Sequence, residues 1–288
     1  MNQILSGRSS MRVRRLLLAS AASLAIAACG GGGGGTEVSS GGGTPPNISN
    51  LDASTYMIDY TIEGRNGRQT LLMGTGFAIG GNRIATNSHV TQGILDQARR
   101  LAQSGISIVD VSAYQSETGA IVPLLKAAIH PSYTGSTRSP DVGLFEARTT
   151  LPNTLTLEEA NGTTSLRKGD ALQLNGFPGD LFDVLFNNFQ PGLSIPQATL
   201  FSGTMQAIQN FDTRVVVDPA NISTVDMYQH SMDTSGGTSG SPILSNGRVV
   251  GVHNSGLSFN ITEIDGNQRV TRRIAQSTGS WGINVKHL

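Results

Sequence analysis

A chain of 288 residues that is 38% hydrophobic and 14% charged, with 36 glycines and few aromatics, fits a β-rich extracellular domain better than a helical one. Formal net charge is zero, yet Arg8, Arg12, Arg14 and Arg15 crowd into the first 29 residues; the remainder is mildly acidic and offers nothing to nucleic acid. Cys29 is the single cysteine, which excludes an intrachain disulfide and leaves the fold to be held by its core, as a domain of this size allows.

Residues 1–28 read as a targeting segment. Arg12, Arg14 and Arg15 precede an apolar run over 16–28 that is short for a membrane span, and Met11 makes a tidier start for such a signal than Met1. The run ends Ile26-Ala27-Ala28-Cys29, which resembles the lipobox of bacterial lipoproteins. That resemblance implies cleavage before Cys29 and lipid attachment to its thiol. Residues 29–50 then form a flexible linker, with six glycines at 30–35 and Gly41-Gly42-Gly43-Thr44-Pro45-Pro46, a composition that cannot bury a core. The expected location is extracytoplasmic, anchored by lipid to the bacterial cell envelope. Gly30, rather than an aspartate, follows Cys29, and by resemblance to Gram-negative sorting rules this favours the outer membrane.

The folded domain is expected over 51–288. Short β-type runs at 56–62, 70–73, 76–79 and 83–86 are broken by glycine-rich turns, and His89 is read as closing the last of them. A helix is expected over 91–104, where Ile94, Leu95, Ala98, Leu101 and Ala102 share a face and Asp96 can pair with Arg99 or Arg100. Strands resume at 106–111, 121–125 and 171–179, with another pair near Thr199. Residues 180–196 read as an apolar insertion. The run 243–252 is a hairpin turning on Asn246-Gly247, a strong two-residue turn signal. So many short strands predict an all-β domain of two barrels with a cleft between them.

One loop organises the chemistry. In Asp233-Thr234-Ser235-Gly236-Gly237-Thr238-Ser239-Gly240-Ser241-Pro242, glycines flank a serine where backbone must approach a ligand. The N–H groups of Gly237 and Ser239 can then converge as an oxyanion hole, a large electrostatic contribution to acyl transfer. Upstream lie Gly74-Thr75-Gly76-Phe77, then Ala85-Thr86-Asn87-Ser88-His89-Val90, and between them and the loop Ser139-Pro140-Asp141-Val142-Gly143-Leu144-Phe145. The order His89, Asp141, Ser239 is that of the chymotrypsin-type triad, whereas subtilisins run Asp, His, Ser and α/β-hydrolases Ser, Asp, His. On these motifs the chain resembles the trypsin-like serine peptidases, above all the bacterial glutamyl endopeptidase and exfoliative toxin branch.

The resemblance implies two six-stranded antiparallel barrels of chymotrypsin type and a serine endopeptidase working through an acyl-enzyme. Ser239 needs a base in hydrogen-bond reach to become a nucleophile, and His89 is the candidate. Asp141 would orient the imidazole; Asp110 is the alternative, without the family's segment pattern. Asn87 and Ser88 replace the residues that usually precede the family's histidine. Thr238 stands where animal trypsins carry the aspartate that pairs with a freed α-amino group, so that route to activation is not expected.

Gly251-Val252-His253 resembles a segment of glutamyl endopeptidases whose histidine, with a threonine five residues before the serine, binds a P1 glutamate; His253 and Thr234 occupy those places. Imidazole and hydroxyl donors suit a carboxylate. Asp233 stands where trypsins bind Lys or Arg, so a basic P1 is the competing expectation. No metal-ligand spacing occurs, and no cofactor is expected. Expected partners are protein or peptide substrates and, through Cys29, the membrane; a monomer is expected. Only 49 residues follow Ser239, so the PDZ domain of an HtrA-type protease is not expected. The reading from another class is a catalytically inactive trypsin-fold lipoprotein that binds a partner.

Overall fold

The structure, a computed structural model, describes residues 48–64, 67–162, 164–179, 197–212, 214, 216–264 and 270–288. The targeting segment, most of the linker and the 180–196 insertion lie outside them.

A short helix α1 (Ile48–Ala53) leads into β1 (Thr55–Gly64), β2 (Gly67–Gly80) and β3 (Arg83–Thr86). Helix α2 (Ser88–Ala102) intervenes before β4 (Ser107–Gln115), β5 (Ile121–Ile129) and β6 (Gly143–Ala147). These six strands close an antiparallel barrel in the order β1-β2-β3-β6-β5-β4. Then follow β7 (Ser165–Leu166), β8 (Ala171–Gly176), β9 (Thr199–Gln209), β10 (Ala220–Asn221), β11 (Met227–His230), β12 (Pro242–Ser245), β13 (Arg248–Ile264) and β14 (Val270–Asn284). The small pair β7 and β10 stands aside, and the other six close a second barrel, β11-β14-β13-β12-β8-β9. Closure removes the open strand edges that would otherwise invite aggregation.

Both faces of β1 are buried over 55–60, and the strand period decides which side chains enter the barrel core. Tyr56, Ile58 and Tyr60 alternate inward on β1 and meet Ile84 of β3 and Phe145 of β6, with Val90 and Ile94 of α2 packed against them. Leu172 and Leu174 of β8, Met205 and Ile208 of β9, and Ile243, Val250, Val252 and Ile283 fill the second barrel. Phe77, Ala85 and Val142 of the first half belong to this second cluster, so the first barrel lends side chains to the core of the second.

Three expectations change. The runs at 70–73 and 76–79 are one strand, because Gly74 and Gly76 are close-packing positions rather than turns. A Cβ at Gly76 would meet Ile84 Cγ2 at 2.6 Å and Ile58 Cδ1 at 2.9 Å, and one at Gly74 would meet Val90 Cγ2 at 2.8 Å. Helix α2 begins at Ser88, ahead of the expected 91, so His89 lies in its first turn and does not close a strand. The pair foreseen near Thr199 is the single strand β9, which joins β8. The hairpin forms as read, with Asn246 at φ 50° and Gly247 at φ 78° joining β12 to β13.

Candidate active site

The step from β3 into α2 builds the first half of the site. Asn87 occupies the N-cap position, but its side chain makes no cap; Nδ2 donates to the Asp141 carbonyl at 2.7 Å instead. Ser88 Oγ donates to the Val142 carbonyl at 2.6 Å and accepts from the His130 N–H at 3.1 Å. The segment ahead of β6 is therefore tied by its backbone to the start of α2. Asn87 and Ser88, departures from the family motif, are anchors for Asp141.

Asp141 is 2% exposed and directs both carboxylate oxygens at one residue. Oδ1 accepts the His89 backbone N–H at 2.8 Å, and Oδ2 accepts from ring Nδ1 at 2.6 Å. A buried carboxylate requires such partners, and a first-turn N–H is one that a helix leaves unsatisfied. With the proton held on Nδ1, Nε2 keeps the lone pair. Asp110 is exposed on β4, 3.3 Å from a Ser112 Oγ whose proton lies nearer Asp59 at 2.9 Å, and among the described residues no hydrogen bond links it to His89.

The loop from β11 to β12 builds the second half. Thr238 is buried and donates both Oγ1–H at 2.6 Å and N–H at 3.2 Å to the Ser235 carbonyl, closing a tight ring without any charge. The Gly240 N–H donates to the His253 carbonyl at 2.9 Å and the Ser241 N–H to the Thr238 carbonyl at 3.0 Å. Among the described residues, the N–H groups of Gly237 and Ser239 have no protein acceptor. The Gly236 carbonyl accepts from the Gly179 N–H, and because a trans peptide opposes its C=O and N–H, the Gly237 N–H is aimed the other way. Gly237 stands at φ +96°, and a Cβ there would meet the Phe177 carbonyl oxygen at 2.5 Å. Only glycine fits.

His89, Asp141 and Ser239 line one cavity of about 350 Å³, with Tyr133, Thr234 and His253 on its walls. Ser239 Oγ makes a long hydrogen bond, 3.4 Å, to the Asn254 carbonyl. Loop residue Thr137, not singled out by any sequence signal, accepts from Asn254 Nδ2 at 3.0 Å and lines the same cavity. Tyr133 beside it has its phenol pushed up to about 12, by burial first and then by the Asp141 charge.

The specificity candidates separate. Thr234 and His253 both face the cavity, whereas Asp233 is exposed and is not among the residues that line it. Thr234 Oγ1 meets Ser280 Oγ at 2.9 Å, and Ser280 Oγ donates to the Met232 carbonyl at 3.0 Å, so the Thr234 proton runs to Ser280. His253 is buried behind them with Nδ1 3.2 Å from His230 Nε2. Burial, with the neighbouring His230 and His89 charges, holds the His253 ring well below the usual histidine range; burial alone brings His230 down to about 4. Both rings are neutral near pH 7. Cys29 lies outside the described residues.

Comparison with known proteins places this geometry. No curated protein matches the sequence. Among solved structures, the HtrA-type protease AlgW with decapeptide superposes with TM-score 0.50 at 14% identity, over 83% of this chain and 63% of that one. This chain thus spans less than two thirds of that protease. The Rv3671c protease from M. tuberculosis, active form, gives TM-score 0.47 at 15% identity over 83% and 79% of the two chains. A Glu endopeptidase in complex with MPD gives 0.45 at 18% identity over 79% and 84%. The sequence profile of the trypsin-like peptidase domain matches residues 74–252, a span that holds His89, Asp141 and Ser239 and more than half of the chain. The chain belongs to the trypsin-like peptidase family.

Proposed function

We propose that the protein is a serine endopeptidase in which Ser239, His89 and Asp141 carry the reaction. The observation that supports it best is the pattern of N–H groups in the serine loop: those of Thr238, Gly240 and Ser241 are occupied, and those of Gly237 and Ser239 are free among the described residues. In this reading Ser239 Oγ attacks the scissile carbonyl while His89 Nε2 takes its proton. The oxyanion accepts from the two free N–H groups, and His89 returns the proton to the leaving amine. Water repeats the cycle on the acyl-enzyme. Asp141 keeps the proton on Nδ1 and balances the imidazolium that forms.

The same reading assigns an acidic P1 preference to His253 and Thr234. Among the described residues, the exposed position of Asp233 leaves a basic P1 side chain without a facing carboxylate, since Asp141 is committed to His89. A carboxylate entering beside His253 would offset the cost of charging that buried ring, and Thr234 would reach it by turning its hydroxyl from Ser280. Cys29 is proposed as the lipid-bearing residue of an envelope-anchored protein, on its sequence context alone; palmitate labelling of the wild-type chain that is lost in Cys29→Ala is the expected result.

A fluorophosphonate should label the intact protein on Ser239 and leave Ser239→Ala and His89→Ala unlabelled. One contact favours the inactive reading, because the Ser239 hydroxyl points to the Asn254 carbonyl rather than to His89. Rotation about χ1 between staggered wells reverses it, and the labelling experiment decides between the two.

A further inference from the structure

Thr75 lies on β2 of the first barrel, fully buried, and the chemistry above gives it no part. All of its polar atoms are engaged around the serine loop. Oγ1 accepts from the Phe177 N–H at 3.0 Å and donates to the Gly237 carbonyl at 2.8 Å. Its N–H donates to the Ser239 carbonyl at 2.8 Å, and its own carbonyl accepts Thr86 Oγ1–H at 2.7 Å. A hydroxyl has one proton; with Phe177 on a lone pair, that proton is fixed on Gly237.

The two carbonyls that Thr75 holds belong to Gly237 and Ser239, the same residues whose N–H groups are free. Two successive glycines, at 236 and 237, have the widest backbone freedom of any residues, and no Cβ opposes rotation of the peptides between them and Thr238. Such a loop keeps its N–H groups aligned only where its carbonyls are pinned. Gly179 pins the carbonyl of Gly236 and Thr75 pins that of Gly237. Thr86, three residues before His89, donates to the carbonyl of the same Thr75, which links the base side of the site to the serine side.

We infer that Thr75 is a positioning residue whose hydroxyl reaches from the first barrel to Phe177 and Gly237 of the second, and holds the serine loop with both free N–H groups set for an oxyanion. It supplies without charge the restraint that Thr238 cannot draw from an ion pair. The kinetic arm of the test rests on the peptidase reading; the structural arm does not.

Thr75→Val keeps the branched shape and removes both hydroxyl bonds, whereas Thr75→Ser keeps the hydroxyl; Thr75→Ala replaces the valine variant if that fails to fold. In the intact protein Thr75→Val should lower kcat by about ten- to a hundredfold with KM within about twofold, because only transition-state contacts weaken. Thr75→Ser should stay within about threefold of wild type on the same grounds. Affinity for a peptide boronate, whose adduct places an oxygen between the two N–H groups, should fall in step with kcat. In protein labelled with 15N-glycine, the Gly237 amide resonance should shift or broaden in Thr75→Val and stay in place in Thr75→Ser.

Wild-type kcat with an unmoved Gly237 resonance in Thr75→Val overturns the inference, as does equal damage in both variants. If the wild-type protein hydrolyses nothing, the peptidase reading fails and the Gly237 resonance decides alone. Displacement in the valine variant only then upholds the positioning role, and no displacement in either refutes it.

Discussion

The two halves of the site are held in place by different physics. On the first-barrel side one buried charge, Asp141, organises everything, with both oxygens on His89 and its backbone fastened by Asn87 and Ser88. On the second-barrel side no charge takes part among the described residues: Thr238 hooks Ser235, Gly179 holds Gly236, and Thr75 holds Gly237 and Ser239. A charge needs its partners whatever else changes, so the base side should fail abruptly when one is lost. A net of neutral bonds shares its restraint and should fail by degrees.

The largest effect should come from the charged side. Asp141→Asn puts an amide where two donors converge and frees the His89 tautomer; kcat should fall by about ten-thousandfold in steady-state assays of peptide hydrolysis. If Asp141→Asn costs less than Gly237→Ala, the contrast is wrong. Gly237→Ala comes next: its methyl collides with the Phe177 carbonyl at φ +96°, displacing one of two N–H donors. A loss of about a hundred- to a thousandfold in kcat, with KM little changed, is expected. Ser88→Ala removes the bonds to Val142 and His130 but leaves Asp141 paired with His89. It should lower stability in urea melts by about 1–3 kcal/mol and reduce kcat by about tenfold.

The smallest effects concern pH and stability, where the barrels should again part. In the first, burial pushes Asp59 up to about 7, with Asp110 adding to it and Ser112 opposing. Its folded value lies above the unfolded one, so the folded state binds the extra proton and stability from this group falls as pH rises from about 4 to about 7. In the second, His230 is lowered to about 4, below its unfolded value. The unfolded state then binds the extra proton, and stability from His230 is present above about pH 6.5 and lost toward pH 4. Asp59→Asn should therefore raise the melting temperature at pH 8 and leave a steeper rise of stability between pH 4 and 7. Unchanged melting at pH 8 would contradict the assignment.

Much of this was legible in the sequence, for identifiable reasons. The order His89, Asp141, Ser239 and the glycines about Ser239 are covalent facts, and the Asn246-Gly247 turn is local chemistry. Strand limits at Gly74 and Gly76 were not, because glycine reads equally as a turn or as a place where chains touch. Only the packing of Ile58, Ile84 and Val90 separates the two. Asn87 and Ser88 looked like damage to a motif and turned out to reach 54 residues along the chain to the Asp141 segment. Thr75 stood in a quoted motif without a role of its own and Thr137 carried no signal, since their partners lie 162 and 117 residues away. The outward position of Asp233 depends likewise on how the loop closes on Thr238.

In the proposed reaction Ser239, set between two free N–H groups and served by His89, cleaves peptide bonds. The most direct measurement is digestion of a mixed peptide library by the intact protein, with Ser239→Ala in parallel. Cuts after Glu or Asp that vanish in the variant are the predicted result. Identical peptide profiles from the two proteins would contradict the account and leave a trypsin-shaped binding protein.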